Sequence, residues 1–167
     1  MPEFLTRFFS DPYVLIVLLT FAPALELRAS IPYGILVAKL PWEVVVPLAV
    51  GANILLGPIF FLLLDKCMHL LLRIGVVNRF WNRMILKTQK KIHPLVEKYG
   101  VWGLSVFIGV PLPGSGVYSG AIGGYLLGFT KREFYVATVL GVLIAAAAVT
   151  GVVLTGTGAW GLFIKKF

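Results

Sequence analysis

Cysteine, histidine and acidic residues are scarce in this sequence. Cys67 is the only cysteine, so no disulfide can form within the chain. The two histidines, His69 and His93, lie far apart with no cysteine pair near them, which excludes the common zinc-binding motifs. The 7 acidic residues are scattered, and no nucleophile has a base at a recognisable catalytic spacing. We therefore expect a protein that is not an enzyme and has no catalytic residue, metal or cofactor.

Charge of either sign is also sparse. Charged residues make up 13% of the chain, against about 25% in soluble domains, while hydrophobic residues make up 59%. The uncharged run Val44–Leu64 is long enough for a transmembrane helix, which needs about 20 residues. A second run, Phe134–Ile164, is too long for one span and should break near Gly156. The composition predicts an all-α integral membrane protein, a single domain over 1–167, crossing the inner (cytoplasmic) membrane several times.

The basic residues are concentrated in one segment, 65–98. It carries eight basic and two acidic residues, so the positive-inside rule places it in the cytoplasm. Arg79, Arg83 and Lys87 recur at helical spacing with apolar residues between them, which predicts an amphipathic helix on the inner leaflet. A plain solvated connector is the alternative. Because a lipid surface accounts for the positive charge, we expect membrane lipids rather than nucleic acid as a partner.

Similar segments follow one another on both sides of this connector. Repeat one covers about 11–64 and repeat two about 99–156. In each, two short apolar arms flank a break rich in proline and glycine, and a long apolar run follows. A shift of 85 residues aligns Ser30 with Ser115. The order of parts predicts an internal repeat, although the sequence leaves open whether Pro12–Leu25 is a hairpin arm or a short spanning helix.

The charge distribution predicts that the two halves are inverted. The two arms around each break would form a helical hairpin. With the connector in the cytoplasm, the first hairpin enters the membrane from outside and the second enters from inside. We therefore expect two inverted repeats, each a re-entrant helical hairpin followed by a transmembrane helix, joined by the cytoplasmic amphipathic helix. Inverted repeats with broken helices that meet near the membrane midplane are a transporter design. Irregular backbone at that depth survives where it is buried or lines a water-filled cavity, so the two tips predict an aqueous pocket.

The first break carries two opposite charges, Glu26 and Arg28, in the otherwise apolar segment 21–34. An ionisable group at the centre of a membrane helix is unfavourable by roughly 2.5–3.5 kcal/mol on insertion scales, so such groups are commonly functional. A carboxyl group in a low-dielectric pocket favours its protonated form, which suits proton coupling, and Arg28 suits an anionic group. Two alternatives stay open: a salt bridge that holds the turn, and an extracellular loop between two short helices.

The second break, 111–120, has no charge. Its prolines stop the incoming helix, its glycines permit close approach, and the amides that open the following arm favour an anion. We expect both breaks to line one site for a substrate or a proton, and Thr138 and Thr150 could face the same pocket. The candidate residues are Glu26, Arg28, Ser30, Pro32, Tyr33, Asn53, Pro111, Pro113, Gly114, Ser115, Gly116, Tyr118 and Ser119.

Both breaks also resemble a known family. "ELRASIPYGI" (26–35) and "PLPGSGVYSGAIGGYLLG" (111–128) match in order and spacing the motifs of the bacterial and archaeal small multi-drug export protein family. More distantly, the chain is similar to DedA-type membrane proteins, which have two membrane-embedded hairpins in inverted halves. The resemblance to DedA-type proteins implies lipid scrambling or recycling of polyprenyl-phosphate carriers, often driven by the proton-motive force. Those proteins carry arginines around the second proline, where this chain has Gly109 and Gly116, which argues against a phospholipid-like substrate unless Arg28 takes over their role.

Together these features predict a small membrane transporter. It would move a small or amphipathic substrate, with anionic or lipid-linked molecules among the candidates, through a pocket between the hairpin tips, and protons are the candidate coupling ion. The alternatives are a DedA-like lipid or polyprenyl-phosphate translocase and a membrane assembly protein that transports nothing. A homodimer is a further expectation, since small residues permit close helix contact. Its predicted contact face is Gly141, Gly151 and the alanine run 145–148.

Overall fold

The computed structural model describes residues 11–23, 25–71, 96, 98–110 and 115–156. These residues form helices and no strand, as an all-α protein requires. Most of the basic connector, including the predicted amphipathic helix, lies outside the described residues. The helices are α1 (Pro12–Phe21), α2 (Glu26–Pro32, extended by a π-helical turn Tyr33–Val37), α3 (Trp42–Leu71), α4 (Val101–Gly109), α5 (Val117–Leu126) and α6 (Lys131–Thr155).

The order of two short helices and one long helix occurs twice. Pro12 and Val101 are 89 residues apart, and so are Trp42 and Lys131, the first residues of α3 and α6. The interval of 85 that aligned Ser30 with Ser115 relied on side-chain identities, whereas these helix starts give an interval of 89. The helix starts are set by caps and breaks that differ in sequence between the two halves.

Local sequence explains where these helices begin and end. Asp11 caps α1, because its carboxyl accepts the backbone N–H of Tyr13 at 2.8 Å. Helix α6 opens with a capping box in which Thr130 and Glu133 each bond the other's backbone N–H. It ends with Gly156 as its C-cap, at the predicted break. The long apolar runs are thus delimited by ordinary capping chemistry.

The first break is shorter than the sequence predicted. It ends before Glu26, which opens α2, so the segment 26–34 is helical and not an irregular tip. Pro32 is accommodated inside α2, and the π-helical turn begins at the next residue. Proline lacks the N–H that a regular helix would use, and π-helical turns are a known way of adjusting the backbone at such a point. Glu26 and Arg28 thus lie on a rigid element just past the tip.

The two halves interlock through their second arms. In each half the first arm packs on the long helix of that half, α1 on α3 and α4 on α6. The second arms reach across, so that α2 contacts α6 and α5 contacts α3, while α3 and α6 pack together. The second arm of each hairpin therefore lies against the long helix of the other half.

Glycines allow each second arm to pack closely at corresponding positions. A Cβ on Gly34 would lie 2.5 Å from Val45 and 3.0 Å from Ile16. A Cβ on Gly124, 90 residues later, would lie 3.2 Å from Leu104 of the second hairpin. The contacts of the two glycines correspond, which supports the interval derived from the helix starts.

The contact between α4 and α6 depends on Gly141. A Cβ at this position would lie 2.6 Å from Ile108 Cβ and 2.8 Å from the carbonyl oxygen of Ser105. The neighbouring pair 145–146 is also buried within the chain. These residues are therefore unavailable as the predicted dimer face, because they already serve a helix contact inside the chain. Gly151 meets nothing within 4 Å and remains at the surface.

Two helices in the described part of the chain are long and apolar enough to cross a membrane. They are Trp42–Leu64 and Lys131–Thr155, with mean hydropathy 2.2 and 2.5. Large apolar side chains on both are exposed, including Leu55 at 63% and Leu143 at 49%. Extended apolar surface of this kind suits contact with lipid better than contact with water.

Candidate functional site between the hairpin tips

The carboxyl group of Glu26 crosses from α2 to the start of α5. The backbone N–H of Val117 donates to Oε2 at 3.1 Å, and that of Tyr118 donates to Oε1 at 3.4 Å. The first N–H groups of a helix lack partners within it, and the helix dipole favours negative charge there. The Glu26 carboxyl group therefore binds the α5 amides that the sequence predicted to favour an anion. Glu26 is only 6% exposed.

Gly116 provides the space for this carboxyl group. A Cβ on Gly116 would lie 2.7 Å from each oxygen of the Glu26 side chain. Its φ of +121° is also one that residues with side chains rarely adopt. Both the space and the backbone conformation therefore require glycine here.

Glu26 itself has an unusual backbone conformation. Its φ is +46°, in the left-handed region. For a residue with a side chain this region is unfavourable by roughly 1–2 kcal/mol. Such strain persists where surrounding contacts fix the residue, and it is concentrated at functional sites. The carboxyl–amide bonds to α5 are contacts of that kind.

Arg28 makes a second bridge between the hairpins. Its Nη2 donates to the hydroxyl of Ser115 at 2.8 Å and to the carbonyl oxygen of Val110 at 3.2 Å. The Ser115 hydroxyl also donates to that carbonyl at 2.6 Å. The described hydrogen bonds of Arg28 lead to the other hairpin, while its positive charge also interacts with the Glu26 carboxyl. Charge pairing within the first turn therefore accompanies the contacts with the other hairpin. An exposed loop is wrong, because both residues belong to α2 and Glu26 is buried.

Asn53 of α3 completes the polar part of the site. It is 1% exposed, and its side chain lies within hydrogen-bonding reach of the Glu26 carboxyl. Its Oδ1 atom has no hydrogen-bond partner among the residues that the structure describes. Leaving a buried acceptor unpaired is unfavourable by roughly 1–3 kcal/mol. An acceptor of this kind in a candidate site indicates that another group or another state satisfies it.

A narrow cleft separates these groups. The space is too small to hold a water molecule, so the predicted aqueous pocket is not open in this conformation. Ligand pockets usually have volumes of about 300–1,000 Å³, so the cleft in this conformation is smaller than such a pocket. The lining residues are Glu26, Leu27, Arg28, Asn53, Ile108, Val117, Val142 and Ala145.

Several predicted site residues lie elsewhere. Ser30 accepts a hydrogen bond from the Thr20 hydroxyl at 2.8 Å, and both residues are fully buried inside the first hairpin. Pro32 and Tyr33 lie farther along the same arm and are not among the cleft-lining residues. These three residues were placed in the site because the first break was expected to extend to residue 34.

The other candidate residues either lie outside the cleft or are not among the described residues. The hydroxyl of Tyr118 donates to the carbonyl oxygen of Phe21, so this side chain joins the two hairpins outside the cleft. Ser119 is half-buried on α5 and does not line the cleft. Neither Thr138, which packs against the position of Gly57, nor Thr150 lines it. Pro111, Pro113 and Gly114 lie outside the described residues.

Two polar partners of the candidate residues were missed by the sequence analysis. The carbonyl of Val110 accepts from Arg28, and its position directly before Pro111 marked it as a helix-terminal acceptor without an intrahelical donor. Thr20 could have been found as a hydroxyl in an otherwise apolar arm. The apolar lining from α4 and α6 had no comparable signal, because those residues do not differ in type from the surrounding core.

Comparison with known proteins points to one family. The sequence profile of the family described as "Putative small multi-drug export protein" matches residues 26–148, which include both arms of the site. Neither a curated protein nor a solved structure is significantly similar to the chain.

Proposed function

Because the chain belongs to the small multi-drug export protein family, we propose that it is a membrane transporter that moves a small or amphipathic substrate between its two hairpin tips. The family description and the two long apolar helices both support a location in the membrane. The observation on which the proposal rests is the polar junction in which Glu26 and Arg28 of one hairpin bond the backbone and hydroxyl groups of the other.

The position of this junction supports a site near the middle of the membrane. Asn53 is the central residue of the 23-residue stretch Trp42–Leu64. Val142, which lines the same cleft, lies one residue from the centre of Lys131–Thr155. A group placed halfway along two spanning helices lies close to the bilayer midplane, where transporter sites are commonly formed from broken helices.

The lengths of the short helices support re-entrant hairpins. Helices α1 and α5 have 10 residues each and α4 has 9. At about 1.5 Å per residue such a helix extends for about 15 Å, half of the ~30 Å hydrocarbon thickness. Two arms of this length would bring each tip to the midplane and back. With the basic connector in the cytoplasm, the hairpins enter from opposite sides of the inner membrane as inverted repeats.

The closed cleft fits one state of an alternating cycle. Passage of a substrate requires the bonds from Glu26 to α5 and from Arg28 to Ser115 to break. A proton on Glu26 removes the negative charge that the α5 amides attract and gives the carboxyl group a donor in place of one acceptor. Proton uptake is therefore the natural event to release the tips, and it couples transport to protons.

Flux measurements in liposomes test this proposal. Liposomes with and without the purified chain would be given fluorescent amphipathic compounds of each charge type, and uptake would be followed for wild type, Glu26→Gln and Arg28→Ala. The exposed Glu43 provides a matched control, Glu43→Gln, outside the site. We expect wild type and Glu43→Gln to transport at least one compound, with at least ten-fold lower rates in both site variants. Flux equal to that of empty liposomes, or unchanged flux in folded site variants, would contradict the proposal.

A lipid or polyprenyl-phosphate translocase is the second candidate. It is favoured by one observation, the anion-attracting amides of α5 beside Arg28, because such a site suits a phosphate head group. Lipid transfer between leaflets, measured with a head-group-labelled lipid and a membrane-impermeant quencher, separates this function from transport of soluble compounds. A chain that moves neither but copurifies stoichiometrically with another membrane protein would be an assembly factor.

A further inference from the structure

We infer that Glu26 occupies a binding site for the anionic group of the substrate. A carboxylate or a singly charged phosphate would replace Glu26 at the α5 amides, while Glu26 moves to Asn53. This inference rests on the proposed function and names the substrate class of the same site.

The amides at the start of α5 provide the first part of the site. The N–H groups of Val117 and Tyr118 bond the two oxygens of one carboxyl group, and Gly116 leaves the space beside them free of a side chain. Helix α5 has 10 residues, enough for a helix dipole to act at this end. A ligand carboxylate needs the same donors and nearly the same volume. It can therefore bind where Glu26 binds, but only after Glu26 has left.

Asn53 provides an independent second observation. Its Oδ1 is buried, lines the cleft and has no partner within the described residues. Charged Glu26 has only acceptors and cannot satisfy this atom, whereas protonated Glu26 has an O–H that can donate to it. The unsatisfied acceptor is thus explained as the resting place of Glu26 after protonation. The Asn53 side chain already bonds the Glu26 carboxyl, so the move is from the α5 amides to the Oδ1 atom of the same side chain, and it would leave both α5 amides available.

The charges around the cleft favour an anion over a cation. Among the described residues, the groups that interact with Glu26 are Arg28 on its own helix, the neutral amide of Asn53 on α3 and, from outside the cleft, the Tyr118 phenol on α5. The lining residues of α4 and α6 are apolar. Once Glu26 is neutral, the described cleft lining carries the positive charge of Arg28 next to the positive end of α5. An anion restores neutrality, while a cation would be repelled.

Binding measurements at two pH values test the exchange. The probes are benzoate as a soluble carboxylate, dihexanoyl phosphatidic acid as a lipid phosphate, and tetraphenylphosphonium as a cationic control. Calorimetry on the full chain in detergent would compare wild type, Glu26→Gln, Glu26→Ala and the remote control Glu43→Gln. We expect wild type and Glu43→Gln to bind an anionic probe at least ten-fold more tightly at pH 5.5 than at pH 8.

The site variants give the distinguishing result. Removal of the internal competitor should make anion binding at pH 8 at least ten-fold tighter than in wild type and nearly independent of pH. Glu26→Ala should show this effect if Glu26→Gln does not fold. Tighter binding of either anionic probe supports an anion site, and the probe that binds shows whether the anion is a soluble carboxylate or a lipid phosphate. Anion binding that is no tighter in folded variants, or tighter binding of tetraphenylphosphonium than of both anions, would overturn the inference. If flux is observed but anions bind the Glu26 variants no more tightly than wild type, only the exchange is refuted. If anions bind the variants more tightly but no flux is observed, only transport is refuted.

Discussion

The two oxygens of the Glu26 side chain occupy the space in which a side chain at Gly116 would begin. A Cβ there would lie 2.7 Å from both oxygens. The absence of a side chain at one tip is therefore part of how the other tip is bound. The charged residue and the glycine, 90 positions apart in the chain, form one structural unit.

Gly116→Ala should weaken the contact between the two hairpins without removing any charged group. The added methyl group displaces the carboxyl, and a φ of +121° disfavours alanine, so we expect a loss of roughly 1–3 kcal/mol in the free energy of unfolding. Thermal unfolding in detergent measures the effect. Gly51→Ala is the control, because this helical glycine meets nothing within 4 Å. It should be neutral or up to about 1 kcal/mol stabilising. Equal stability of the two variants would contradict this role of Gly116.

The bond between Arg28 and Ser115 can be measured by a double-mutant cycle. Arg28→Ala and Ser115→Ala remove the two partners of a 2.8 Å hydrogen bond, and we expect a coupling energy of roughly 0.5–3 kcal/mol in unfolding. Arg28→Ala combined with Ser30→Ala serves as the comparison, since Ser30 bonds Thr20 inside the first hairpin. That pair should be additive within about 0.5 kcal/mol. Additivity in both pairs would show that the bridge contributes nothing.

Asn53→Asp should make stability depend on pH. The new carboxyl lies beside Glu26, and two adjacent carboxylates cannot both be charged without strong repulsion. The folded variant therefore binds a proton more readily than the unfolded chain, so its stability relative to wild type should fall as pH rises. Chemical unfolding between pH 5 and pH 8 measures this trend. Asn53→Leu adds no titratable group and removes only the hydrogen bond from Asn53 to Glu26, so its trend with pH should be smaller than that of Asn53→Asp.

Gly141→Ala should weaken the contact of α4 with α6. The methyl group would lie 2.6 Å from Ile108 Cβ and 2.8 Å from the Ser105 carbonyl oxygen, neither of which can move aside cheaply. We expect a loss of roughly 1–3 kcal/mol in the free energy of unfolding. Gly151→Ala on the same helix should be harmless, because open space surrounds that position. If the chain dimerises through Gly141, the variant would change the oligomeric state and leave protomer stability intact.

The inverted arrangement can be tested with two single cysteines. Glu43 and Arg132 are exposed residues near the starts of α3 and α6, 89 positions apart. In a Cys67→Ser background, Glu43→Cys should react with a membrane-impermeant maleimide added outside intact cells, and Arg132→Cys should react only after the cells are opened. Labelling of both positions from the same side would exclude inversion.

The sequence predicted the positions of the helices better than the contacts between their residues. Val44–Leu64 and the break at Gly156 follow from apolar run length and helix-ending residues, which are local properties. The two arms around each break were likewise visible as short apolar runs. Glu26 was recognisable because a carboxyl in an apolar chain is unfavourable unless something satisfies it.

The contacts across the molecule could not be obtained in that way. Ser30 pairs with Thr20 and not with the cleft because the turn before Glu26 sets the helical phase of α2. Gly141 faces α4 because packing decides which side of an almost uniformly apolar helix is buried, and the sequence of such a helix does not mark that side. The amides of α5 were predicted to favour an anion, but their occupant is determined only when the two hairpins meet.

Glu26 and Arg28 are far along the chain from the groups that they bond, and this separation has a consequence for synthesis. Glu26 and Arg28 leave the ribosome 91 and 87 residues before Val117 and Ser115, the groups that bind them. At about 5–20 residues per second, this interval lasts roughly 5–20 s. During that time the first hairpin must be kept in the membrane or at its surface without its partners. Two opposite charges only two residues apart can screen each other meanwhile, so the pair suits the nascent chain as well as the finished protein.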